Sequence, residues 1–130
     1  MKHVCLNCES AEMKRGARDV TVTHHGFETV VRKLRGWHCP NCGEIEFDKG
    51  EGERYTKAVE QLETEERTWL ARTRKKLKLT QYEAAALTGG GHNAFSRYER
   101  GEAKPVVAVV NLFRLLEKMP ELLKELRRAA

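Results

Sequence analysis

The sequence predicts an α+β protein in two parts, a small zinc-ribbon β domain over residues 1–63 followed by an all-α helix-turn-helix domain over residues 64–130. Three observations predict it. Two C-x-x-C pairs, Cys5-Leu6-Asn7-Cys8 and Cys39-Pro40-Asn41-Cys42, stand 30 residues apart, a spacing that suits one metal held by two turns. Between them lie β-branched runs, Val20-Thr21-Val22-Thr23 and Phe27-Glu28-Thr29-Val30-Val31-Arg32, which read as strands. The remainder carries helical periodicity punctuated by capping signals, a triple glycine and two prolines.

In the first part, two residues between cysteines let each turn aim both sulfurs at one point. Cys5, Cys8, Cys39 and Cys42 then complete a tetrahedron of thiolates, the preferred ligand set for one structural Zn2+ per chain. Gly43 follows the second pair, where the lack of a Cβ lets backbone N–H groups fold back towards the sulfurs. A redox dithiol needs a C-x-x-C at a helix start within a βαβ pattern, and neither pair precedes a helical period. A catalytic zinc needs an open position, which four cysteines fill. The reading therefore contains no catalytic residue and no enzymatic activity. His24-His25-Gly26 marks a hairpin turn, and Glu44-Ile45-Glu46-Phe47 alternates as a further strand. His38, beside Cys39, is the one histidine kept as a remote substitute ligand.

Asp48-Lys49-Gly50-Glu51 has the form of a capping box opening a polar helix to about Leu62, with Tyr55, Val59 and Leu62 on one side. So few apolar residues suit a connector, and the boundary falls near Glu63 and Thr64. A separate helix from about Glu65 to Leu77 places Leu70, Arg74 and Leu77 on one face, and an arginine on a buried face requires a paired acid. Thr80-Gln81-Tyr82-Glu83 is a second capping box, starting a short helix with Ala84 and Leu87 inward. Gly89-Gly90-Gly91 then supplies positions tolerant of positive φ for a tight turn into a second helix.

On that helix Asn93 and Arg97 are four apart and share a face. These two side chains pair bidentately with adenine and guanine in the major groove. Gln81, Ser96, His92 and the cluster Lys75, Lys76, Lys78 are the phosphate or supporting contacts. Phe95 and Tyr98 belong to the core, Glu99 is the acid assigned to Arg74, and Gly101 stops the helix. Pro105 sits at the first position of a longer helix whose stretch from Val106 to Leu116 is apolar nearly all round, so its second side reads as a subunit contact. Pro120 begins a last helix with Leu122, Leu123 and Leu126 inward.

Charge divides along the chain. Residues 1–66 hold 10 Lys+Arg against 13 Asp+Glu, and residues 67–130 hold 14 against 6. Two surfaces with different partners follow, the basic one matching phosphate. The chain opens M-K-H-V-C with no apolar stretch of signal-peptide or membrane-span length, which predicts a soluble, cytoplasmic protein without disulfides and without a membrane partner.

The segment Leu79-Thr80-Gln81 through Phe95-Ser96-Arg97-Tyr98-Glu99-Arg100-Gly101 resembles the Xre/Cro type of helix-turn-helix, in which an early arginine pairs with the glutamate before the final glycine; Arg74 and Glu99 occupy those positions. A ribbon with two C-x-x-C pairs ahead of this domain, together with the string G-G-G-x-N-A-F-S-R-Y-E-x-G, resembles the MqsA family of bacterial antitoxins over essentially the whole chain. The resemblance implies a homodimer through the carboxy-terminal domain and repression of its own operon by binding palindromic operator DNA. It further implies an amino-terminal zinc domain that neutralises a ribonuclease toxin. Base contacts carry over to Asn93 and Arg97, and zinc ligands to Cys5, Cys8, Cys39 and Cys42. The alternative is a stand-alone zinc-containing repressor with no toxin partner.

Overall fold

The computed structural model describes residues 2–129, which fall into two compact units, Met1–Leu62 and Glu63–Ala130. The first unit is built on a three-stranded antiparallel sheet of order β1-β2-β3, with β1 at Lys14–His24, β2 at Phe27–His38 and β3 at Ile45–Phe47. His24 faces Phe27 across the hairpin, leaving His25 and Gly26 as a two-residue turn with φ of 46° and 85°. Two positive φ values define the turn whose twist matches that of the flanking strands. Further along, the register slips between Arg18 and Val20, where Lys33 takes φ of 48° and the Asp19 carboxylate accepts its N–H at 2.8 Å. Gly36 sits where β3 joins, and a Cβ there would lie 2.1 Å from the Glu46 carbonyl oxygen. Only glycine permits that approach.

A long helix, α1, runs Glu51–Lys76. Within the first unit, its Ala58 and Leu62 pack against Val22, Val31 and Leu34 of the sheet, with Tyr55 and Val59 alongside. This corrects the reading of that segment as a connector with little to bury. Tyr55, Ala58, Val59 and Leu62 form a full i, i+3, i+4, i+7 stripe, and the small Ala58 is what completes it. The expected capping box at Asp48 is also replaced. Asp48 accepts from Arg15 at 2.7 Å, while buried Glu51 accepts the Arg35 backbone N–H at 2.8 Å, so both carboxylates tie the helix start to the sheet. Nor does the helix stop near Glu63 and restart at Glu65. Residues 62–66 contain no glycine or proline to end it.

The unit bounds also revise the charge division. Residues 1–62 hold ten Lys+Arg and ten Asp+Glu, and residues 63–130 hold 14 and 9. The acidic excess assigned to the first part came from Glu63, Glu65 and Glu66, which belong to the second unit.

In the second unit the remainder of α1 precedes α2 (Gln81–Leu87), α3 (Ala94–Glu99), α4 (Val107–Lys118) and, after a 3-10 turn at Pro120–Leu122, α5 (Leu123–Ala129). Leu70, Leu79, Ala84, Ala85, Phe95, Val110, Phe113 and Leu116 are buried, and the rings of Phe95 and Phe113 lie 5.2 Å apart. In α2 it is Ala85 rather than Leu87 that joins Ala84 in the interior. The box at Thr80 closes in both directions: Thr80 Oγ1 accepts from Glu83 N–H, and the Glu83 carboxylate accepts from Thr80 N–H, each at 3.0 Å.

Three helix ends share one solution. After α1, Lys78 takes φ of 58°, with Lys78 N–H bonded to Lys75 O at 3.0 Å and Leu79 N–H to Arg74 O at 3.2 Å. Gly89 ends α2 and Gly101 ends α3 through the same pair of bonds. This is the Schellman arrangement, and at α1 a lysine occupies the left-handed position that glycine normally takes.

Candidate metal centre and nucleic-acid interface

The two cysteine turns are near-copies of one another. Glu9 N–H returns to the Cys5 carbonyl at 2.9 Å and Gly43 N–H to the Cys39 carbonyl at 3.2 Å, each through a left-handed residue, Glu9 at 55° and Gly43 at 81°. Gly43 therefore closes its turn onto a carbonyl. Within that turn the Cys42 amide points at sulfur, 3.5 Å from Cys39 Sγ.

The structure brings all four sulfurs within 4.8 Å of one another, with Cys5 to Cys42 and Cys8 to Cys39 each at 3.7 Å. A disulfide would need about 2.05 Å. The Ser10 hydroxyl donates to Cys8 Sγ at 3.4 Å and is itself held by Asn41 Nδ2 at 2.9 Å; Asn7 Nδ2 donates to Cys42 Sγ at 3.5 Å. These donors favour thiolate. Cys8 is pushed down to about 5, chiefly by the Ser10 hydroxyl, and Cys42 is lowered chiefly by the Asn7 amide. At Cys5 the Cys8 backbone N–H also favours the thiolate, but burial and the neighbouring sulfurs outweigh it and push the thiol up to about 11. Crowded sulfurs resist becoming four thiolates together unless a cation sits among them, so the cluster is a cradle for a structural metal.

The asparagine at the third position of each pair, and Ser10, are functional side chains that counting cysteines misses; the repeated C-x-N-C is their signal. His38 lies apart from this cluster, buried, with Nε2 donating to the Leu34 carbonyl at 3.0 Å.

In the second unit Arg74 is buried and grips Glu99 with two hydrogen bonds, Nε at 2.7 Å and Nη2 at 2.9 Å, while its Nη1 donates to the Leu79 carbonyl at 2.8 Å. Gln81 Nε2 adds a bond to Glu99 at 3.2 Å, which commits part of its amide inside the protein. Burial disfavours the ionised Glu99, but the Arg74 guanidinium and the Gln81 amide outweigh it and hold the carboxyl below the usual glutamate range. This lattice fixes the end of α3 to α1 and to the start of α2.

Asn93 is the N-cap of α3 rather than a residue on it, with φ of −93° and ψ of 0° and no capping bond from its side chain. Arg97 N–H nonetheless bonds to the Asn93 carbonyl at 3.0 Å, so the two residues stand one turn apart, and both are exposed. Of the three glycines only Gly89 has positive φ; Gly90 makes room, since a Cβ there would lie 3.0 Å from that of Ala94. His92 is exposed before the cap, and half-buried Ser96 accepts from Arg100 Nη1. Lys75, Lys76 and Lys78 are exposed about the end of α1.

A four-cysteine metal cradle on a small sheet, followed in the same chain by a helical unit, defines a two-part metal-binding protein. Its family is shown by comparison: the model for "Antitoxin component of bacterial toxin-antitoxin system, MqsA" matches residues 1–127, and the chain belongs to the MqsA antitoxin family. It is 40% identical to the Escherichia coli K12 protein named Antitoxin MqsA over 129 residues, covering 95% of this chain and 98% of that one. A solved structure of the N-terminal domain of E. coli MqsA is 29% identical, covers 45% of this chain and 87% of its own, and superposes with a TM-score of 0.38.

Proposed function

We propose that this chain neutralises a ribonuclease toxin through residues 1–63 and, as a cytoplasmic homodimer joined through residues 64–130, represses its own operon by binding a palindromic operator. The observation that carries the reading is the match to an antitoxin along nearly the whole length of both chains, so that metal unit and helical unit are matched together. The metal is Zn2+. A tetrahedron with zinc–sulfur bonds of about 2.3 Å has sulfurs roughly 3.8 Å apart, close to the 3.7 Å separations here.

Asn93 and Arg97 read base edges, with Lys75, Lys76, Lys78, Ser96, His92 and the remaining polar capacity of Gln81 setting register on the backbone. The dimer face is the exposed apolar row of α4 and its C-cap, where Val107, Leu115 and Met119 stay 41% exposed or more; its pairing would place two copies of α3 in successive major grooves, roughly 34 Å apart. No helix among the described residues is long and apolar enough to cross a membrane. The test is co-expression with the protein encoded beside this gene, followed by purification. A stable complex without ribonuclease activity is expected; two proteins that purify apart, with the ribonuclease active in the presence of this chain, contradict the reading.

A further inference from the structure

We infer that the outer face of α1 in the second unit, residues 67–76, is a phosphate track for duplex DNA, in which Arg67 and Arg72 extend the grip of Lys75 and Lys76. The inference rests on the DNA-binding reading above and adds a surface to it. An open cleft of about 640 Å³ runs along this face, lined by Arg67, Thr68, Arg72, Lys75, Lys76 and, at its edge, Glu99. Helical spacing makes two parallel rows, Arg67 to Lys75 and Thr68-Arg72-Lys76, over about 14 Å of helix. That length follows several phosphates at about 3.4 Å of axial rise per strand.

Charge patterning separates this face from an ordinary solvated one. From Glu51 to Glu66 the chain holds six glutamates, whereas residues 67–82 hold six Lys+Arg and no carboxylate at all. Like charges at i, i+4, such as Arg72 and Lys76, destabilise a helix, and no carboxylate follows at that spacing to relieve them. The helix dipole rewards cations only in the last turn, which accounts for Lys75 and Lys76 but not for Arg72; Arg67 follows Glu63 by four residues, the favourable order on a helix. The one acid at the cleft, Glu99, is already occupied by Arg74 and Gln81. Lys76 has only a distant partner, Glu117 at 3.9 Å.

Gly101 leaves room for the Arg67 guanidinium, because a Cβ there would lie 2.6 Å from Arg67 Nη1. The guanidinium thus lies across bare backbone, with Nη2 donating to the Thr64 hydroxyl at 3.4 Å. A row of cations whose one cleft-lining acid is committed to Arg74 and Gln81 is matched by a polyanion of regular charge spacing.

The experiment compares the full-length chain with its Arg67→Gln/Arg72→Gln variant, using a duplex from immediately upstream of the gene and an unrelated duplex of equal length, titrated at several salt concentrations. Lys124→Gln, on α5, is the charge control. Removing two phosphate contacts should make the log–log salt slope shallower by about 1.8 and weaken binding roughly thirtyfold at 0.15 M salt. The loss should be equal on both duplexes, with the base preferences and melting temperature retained. If slope and affinity stay at the parent values while Arg97→Ala abolishes preference for the upstream duplex, the cleft is not on DNA although the DNA reading stands. If the parent chain binds neither duplex, the DNA reading itself fails. If the double variant loses affinity only for single-stranded RNA of equal charge, the track serves another polyanion and the inference is overturned.

Discussion

Replacing Arg74 with Ala should remove most of the stability of the helical unit. The guanidinium makes two bonds to Glu99 and one to the Leu79 carbonyl, with side chains only 11% and 13% exposed across the ion pair. Truncating it leaves a mostly buried carboxylate with Gln81 as its remaining donor among the bonds described above. Breaking such a pair from one side costs about 3 to 5 kcal/mol. A unit of this length has a total stability on the order of 3 to 10 kcal/mol, and each kcal/mol moves the melting temperature by roughly 4 to 8 °C. A fall of at least about 12 °C in a circular-dichroism melt is expected. Because replacing a buried pair by apolar groups of similar volume is often neutral, Arg74→Met with Glu99→Leu should recover much of that loss. A single variant that melts within about 2 °C of the parent, or a double variant no better than the single, would refute the argument.

Glu99 also carries a pH signature. Its folded carboxyl sits below the ordinary glutamate value of about 4.3, so the pair contributes fully above that pH and its contribution is lost as pH falls through the depressed folded value. Glu99→Gln should flatten this part of the acid limb of a stability–pH curve. Lys78→Gly should stabilise the unit by about 1 kcal/mol, seen as a raised urea midpoint, because it relieves a left-handed lysine. Gly36→Ala should destabilise the sheet by more than about 1 kcal/mol, since the new methyl meets the Glu46 carbonyl; an unchanged midpoint would mean β3 is free to move. Cys39→Ser should abolish stoichiometric metal and the β signal of the first unit, as read by metal analysis and far-ultraviolet dichroism, because the metal supplies folding energy.

The paired cysteine turns, the hairpin at His25-Gly26, the box at Thr80 and the Arg74–Glu99 pair were all legible because each is a local signal with a fixed spacing. What stayed hidden depended on partners far away in sequence. Asp48 and Glu51 read as a capping box until Arg15 and the Arg35 amide, brought over by the sheet, claimed their carboxylates. Ala58 is too small to register in a hydrophobic pattern, yet it seats α1 on Val22, Val31 and Leu34. The continuity of α1 stays hidden because a stretch with few apolar residues up to Leu62 reads as a connector ending near Glu63, although helices end at glycine, proline or a cap. Lys78 shows in the sequence only as a charge, and its left-handed backbone has no signature in composition.

The central claim is that one unit restrains a toxin while the other reads DNA, and growth rescue tests it most directly. Cells expressing the neighbouring gene's product are supplied with the full-length chain, with Cys39→Ser, or with Asn93→Ala/Arg97→Ala, and colony recovery is counted. The account predicts rescue by the parent and by the Asn93/Arg97 variant at equal protein levels, and none by Cys39→Ser. Rescue by Cys39→Ser together with failure of the Asn93/Arg97 variant would assign the toxin to the recognition helix and contradict the account.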